Sequence, residues 1–225
     1  MKKAIFCLVL CLVALPVLAD TIIIGNPPDS GSGNSFPFGT AYNAEYQQVY
    51  ASSDFSGAIQ ISDIYLYNTQ FNSGAGSTPS GTYTVSLSTT SAGVGTLSPT
   101  FADNIGANNT QVFSGSIQQS WNFGDTLDIH FSQTFNYDPN GGNLLVDVVG
   151  NGISTPANIY YDVHSPGALF QRVYCPSGLQ CSTGVADTPG YGLVTGFGTV
   201  PEPGTLLMMG TGLVGVVGAI RRRIL

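Results

Sequence analysis

The chain has 225 residues, of which only 8% are charged, where a soluble domain usually carries about 25%. Six Lys and Arg against 13 Asp and Glu give a net charge of −7, which excludes a nucleic-acid binder, because phosphates demand clustered bases. A hydrophobic share of 43% with 29 Gly excludes a disordered chain, which needs low hydrophobicity and high charge. The bases are confined to the ends: Lys2 and Lys3, then Arg221, Arg222 and Arg223, with Arg172 alone between. Residues 20–200 therefore hold 12 acids and one base, a net charge of −11.

Met1–Ala19 reads as a secretory signal peptide. Lys2 and Lys3 form its positive start, Ala4–Leu18 is an apolar run, and Val17-Leu18-Ala19 offers a small-residue cleavage site before Asp20. A retained anchor is the alternative, but the run is short for a span of about 20 residues, and Pro16 breaks its end. Signal peptidase is the expected first partner.

After Met1–Ala19 come strand signals. Thr82–Ser88 alternates, with Tyr83, Val85 and Leu87 on one face; Thr126–Ser132 repeats the pattern with Leu127, Ile129 and Phe131. Asn143–Val149 is apolar on both faces except at Asp147, as in a strand flanked on both sides. Further strands are expected at Glu45–Tyr50, Ala58–Tyr67, Thr110–Phe113, Asn158–Val163, Ala168–Tyr174 and Gly192–Phe197, and Asn26–Gly39 reads as an irregular arm. No stretch between the two apolar ends has sustained helical periodicity. The expected fold is all-β: one exported two-sheet antiparallel sandwich over residues 20–199, jelly-roll-like.

Cys175 and Cys181 are the cysteines left after processing, and a five-residue loop separates them. A disulfide is expected in an oxidising compartment, contributing about 2 kcal/mol for so short a loop.

Residues 200–225 form the second device. Thr205–Ile220 is uncharged, roughly 24 Å long as a helix, and Arg221–Arg223 follow at once. The reading is a transmembrane helix over residues 205–220 whose arginines stop transfer and stay in the cytoplasm, with lipid as its partner. Before it stand Val200, Pro201, Glu202, Pro203 and Gly204. The two prolines lack an N–H and restrict their predecessors, so the segment is extended and accessible to a membrane-embedded protease.

Pro-Glu-Pro, a Gly-rich apolar span and an Arg cluster, in that order, resemble the PEP-CTERM sorting signal, a tail also labelled as an ice-binding protein C-terminal domain. The resemblance implies an exported protein of an exopolysaccharide-making Gram-negative bacterium. It implies too that an exosortase recognises Pro201, Glu202 and Pro203, and carries the precursor from inner membrane to cell surface or medium. Phe135–Val148 also resembles a stretch common in exported domains of such proteins and reads as a hairpin around Asp-Pro-Asn-Gly-Gly.

Chemistry is sparse. The sequence contains no Gly-x-Ser-x-Gly elbow, His-Glu-x-x-His helix or phosphate-binding loop. His130 and His164 are the histidines; Asp128 and His130 share a strand face and are weak metal-ligand candidates, though an outward polar pair explains them as well. Asp162 and His164 repeat that spacing. No cofactor is expected, with calcium the one candidate, since the acidity suits a hard cation; Asp138–Asn143 is nevertheless better read as a turn. Tyr42, Tyr46, Tyr50, Tyr65, Tyr67, Tyr160 and Tyr161 are candidates for stacking on sugar rings, or for the core. The expectation is a non-enzymatic adhesion or exopolysaccharide-interaction protein without a catalytic residue, the alternative being a polysaccharide hydrolase or lyase.

Overall fold

Alternating apolar residues become the inward rows of a two-layer β body. The computed structural model describes residues 20–39, 45–71, 76–154, 159–165, 167–176 and 181–200. The strands are β1 (Thr21–Ile24), β2 (Gly33–Asn34), β3 (Glu45–Tyr50), β4 (Ile59–Tyr67), β5 (Gly76–Ser77), β6 (Thr82–Thr90), β7 (Thr110–Gly115) and β8 (Ser120–Trp121), followed by β9 (Thr126–Tyr137), β10 (Asn143–Asn151), β11 (Tyr161–His164), β12 (Phe170–Tyr174), β13 (Val185–Ala186), β14 (Gly192–Leu193) and β15 (Thr195–Val200). A single helical turn, α1 (Phe101–Asn104), lies between β6 and β7. Residues Thr21–Thr199 make one compact unit. The expected signal peptide at 1–19, Pro201–Gly204, the span at 205–220 and Arg221–Arg223 lie outside the described residues. Among the described residues no helix is long and apolar enough to cross a membrane.

One sheet runs β1-β15-β4-β9 and the other β13-β12-β3-β10-β6-β7, with small sheets β14-β11-β2 and β5-β8 beside them. The main core lies between the large sheets. Ile61, Ile64, Leu66, Leu127, Ile129 and Phe197 from the first meet Tyr50, Val85, Leu87, Leu144, Val146 and Phe170 from the second. Tyr50 packs edge-on against Phe197 at 5.0 Å between ring centroids, so aromatic contacts cross the layer. A second, smaller core (Val49, Leu97, Phe101, Leu145, Val173, Cys175) covers the other face of the six-stranded sheet beneath α1.

β10 is flanked by β3 and β6 along its length, which explains its apolar residues on both faces: each face has its own core. The hairpin expected over Phe135–Val148 does not form. β9 pairs with β4, whereas β10 pairs with β3 and β6, so this turn carries the chain from one sheet to the other. Asp138 caps the turn by accepting from the Asn140 backbone N–H at 3.0 Å. Gly142 closes it at φ 136°, where an added Cβ would stand 2.6 Å from the Thr90 carbonyl oxygen.

Cys175 and Cys181 form the expected disulfide, with Cα atoms 5.9 Å apart, tying the end of β12 to the segment before β13. Arg172, the one base of the body, is 4% exposed. Its Nε donates to Asp187 at 2.6 Å and its guanidinium lies between the rings of Tyr174 and Tyr191 at 4.9 and 4.6 Å.

Beneath α1, the carboxyls of Glu45 on β3 and Asp147 on β10 are close neighbours on the outer face of the six-stranded sheet, and each acts on the other's proton. Gln47 donates to the Phe101 carbonyl at 3.2 Å and accepts from Asn104 at 3.0 Å, joining the pair to α1. Burial, then the charge of Asp147, pushes the Glu45 carboxyl up to about 7; burial pushes Asp147 up to about 6. Burial likewise lifts Asp54 to about 6. Folded-state values raised above the unfolded ones mean the folded chain holds more protons between roughly pH 4 and pH 7. Stability present below pH 4 is thus lost as pH rises through 6 and 7. The processed protein is expected to melt several degrees lower at pH 8 than at pH 5, and Glu45→Gln is expected to flatten that difference in thermal melts.

Candidate functional site

The outward face of the four-stranded sheet gathers most of the surface chemistry. Past an irregularity between Ile61 and Asp63, β4 turns Ile64 and Leu66 inward and Asp63, Tyr65 and Tyr67 outward. β9 is in register, placing His130 opposite Asp63, Asp128 opposite Tyr65 and Thr126 opposite Tyr67. On the other flank β15 contributes Gly196 and Gly198 to this face, with Val200 at its end. A Cβ added at Gly198 would lie 3.0 Å from the Tyr65 ring, and one at Gly196 would strike the Tyr67 hydroxyl and stand 3.2 Å from the Tyr65 Cβ. The two half-buried tyrosines therefore lean across a glycine track that no other residue type would leave open.

His130 Nδ1 pairs with Asp63 Oδ1, and Ser62 Oγ donates to the other Asp63 oxygen at 2.5 Å. The hydrogen bond to Asp63, then its charge, raises the His130 imidazole above its ordinary value. Burial, then the charge of Asp63, raises Asp128, partly offset by His130. Burial and the carboxylates of Asp63 and Asp128 hold the Tyr65 phenol above its usual range, so it stays a neutral donor. Asp128 and His130 also line an open cleft of about 280 Å³ whose far wall is Phe113 and Ser116–Gln119. Chemically, this is a polar rim beside an aromatic ledge.

The other candidates resolve differently. Asp162 and His164 are no outward polar pair: Asp162 is 1% exposed and binds the chain leaving β4, while His164 Nδ1 meets the Pro27 carbonyl at 2.9 Å. Tyr46, Tyr50 and Tyr161 belong to the core, Tyr160 lies against Phe71 at 4.6 Å, and Tyr42 is outside the described residues. Among the described residues no group of three or more His, Cys, Asp or Glu could hold a metal ion. Asp63 was missed by sequence reasoning because its partner lies 67 residues away. The shared face of Tyr65 and Tyr67 was legible; its register with β9 was not.

The body is thus an all-β protein of facing antiparallel sheets. Residues 199–223 match the PEP-CTERM protein-sorting motif; the chain carries that sorting signal, which marks an exported protein processed by an exosortase. No curated protein matches the chain. Among solved structures it is similar to the T13 viral particle of infectious bursal disease virus, at 12% identity over 85% of this chain and 44% of that one, TM-score 0.24. It is similar too to that virus's VP2 subviral particle, at 12% identity over 93% of this chain and 53% of that one, TM-score 0.24. The chain thus spans about half the length of these structures.

Proposed function

We propose that this is a non-enzymatic surface or matrix protein that meets exopolysaccharide through Tyr65 and Tyr67. Signal peptidase removes residues 1–19. A jelly-roll-like sandwich then waits outside the inner membrane on the helix at 205–220, with Arg221–Arg223 in the cytoplasm, until an exosortase passes it to the cell surface or the medium. The observation that carries the proposal is the glycine track of Gly196 and Gly198, which lays two tyrosine rings on an outward sheet face. Sugar rings present C–H faces that stack on such rings, and each aromatic contact is worth about 1 kcal/mol.

Tyr65→Ala with Tyr67→Ala is therefore expected to weaken binding to extracted exopolysaccharide at least tenfold in affinity electrophoresis, while the thermal melt stays cooperative. Binding unchanged in that variant would reject the reading. The Asp63–His130 pair at the cleft supports a second reading, a hydrolase or lyase with His130 Nε2 as base. Release of new chain ends from the bound polysaccharide, abolished by His130→Ala, would favour it.

A further inference from the structure

We infer that the Tyr65–Tyr67 ledge is selective for neutral sugars and rejects uronate-bearing chains; this deepens the proposed function and rests on it. Every fixed charge around the ledge is negative. Asp63 neighbours Tyr65 on its own strand and Asp128 faces Tyr65 directly from β9. The one basic side chain on this face is His130, and its Nδ1 is already committed to Asp63. Asp128 is thus offset by His130 only in part. Arg172, the body's lone Arg or Lys, is buried against Asp187 in the other large sheet, and β15 brings two glycines and a valine, none of them charged.

A carboxylate accepts hydroxyl protons and donates nothing. Neighbouring hydroxyls of a neutral hexose supply such donors while the ring stacks on tyrosine. A uronate in the same place sets its own carboxylate against Asp128, inside a body whose net charge is −11. The cleft wall opposite, Ser116–Gln119, offers uncharged amides and a hydroxyl, which suit a neutral chain and do nothing to offset an anionic one.

The test compares a panel of neutral hexose oligosaccharides with oligouronates of matched length. It uses the full chain in detergent at pH 8 with EDTA, so that no bridging cation masks repulsion. The neutral set is expected to bind at least tenfold more tightly, and Asp63→Asn with Asp128→Asn to narrow that gap to about threefold or less. Oligouronates bound as tightly as neutral sugars, or a gap that the double variant leaves intact, would overturn the selectivity while leaving the stacking reading standing. Should neither class bind, or should both bind to Tyr65→Ala/Tyr67→Ala as to the parent, the stacking reading itself fails and the selectivity with it.

Discussion

Replacing Pro201, Glu202 and Pro203 together with alanine is expected to leave the full-length precursor in the membrane fraction and to cut the processed form at least tenfold. Alanine restores two backbone N–H groups and the freedom to become helical, and it removes the one carboxylate of the segment, so both the proline restriction and the charge that a protease would read are lost. β15 ends at Val200 and packs through Thr195 and Phe197, so the variant leaves the body's pairing intact and a processing defect is not a folding defect. The parent chain in a strain lacking its exosortase should show the same accumulation on immunoblots. Normal processing in either case would reject the assignment of the sorting step to this segment.

Asp162→Ala is expected to destabilise the body by about 3 kcal/mol. Asp162 Oδ1 accepts from the backbone N–H groups of Thr69 and Gln70 at 2.8 and 2.9 Å, and Oδ2 accepts from the Thr69 hydroxyl at 2.7 Å. Truncation strands two amide donors of the part-buried segment after β4. It also frees the segment that follows β4, which Asn68 otherwise joins to the Asn122 carbonyl. For a body of this size that loss corresponds to roughly 10 °C in melting temperature. Asp162→Asn keeps one carbonyl oxygen in place and should lose well under half as much. Equal melting points for the alanine variant and the parent would show that the clamp does not hold this corner.

Much of this was legible beforehand because period-2 alternation leaves a strong mark. The inward rows of β6 and β9 and the flanked position of β10 follow from which positions along each strand are apolar. What alternation does not encode is which strand lies beside which. The Asp138–Gly142 turn has the composition of a hairpin, yet the inward residues of β9 and β10 face the core from opposite sheets. Asp63 and His130, like Glu45 and Asp147, are joined only by inter-strand register, which depends on the packing of the entire sandwich. The edge strand Thr21–Ile24 was passed over because it follows so closely on an apolar leader. The sorting signal lies at the other extreme: its prolines, apolar run and arginines act through composition and order, so reading it required no fold.

Thr21 sits opposite Gly198 in the β1–β15 ladder, so the first and last strands of the body leave from one corner. A short Gly-Ser bridge from Thr199 back to Asp20 would close the body into a ring. New ends opened at the exposed Gly124 turn, between β8 and β9, would then give a circular permutant with every ladder kept. In such a molecule the leader and the tail could be hung elsewhere, separating what the body does from the route by which it reaches the cell exterior.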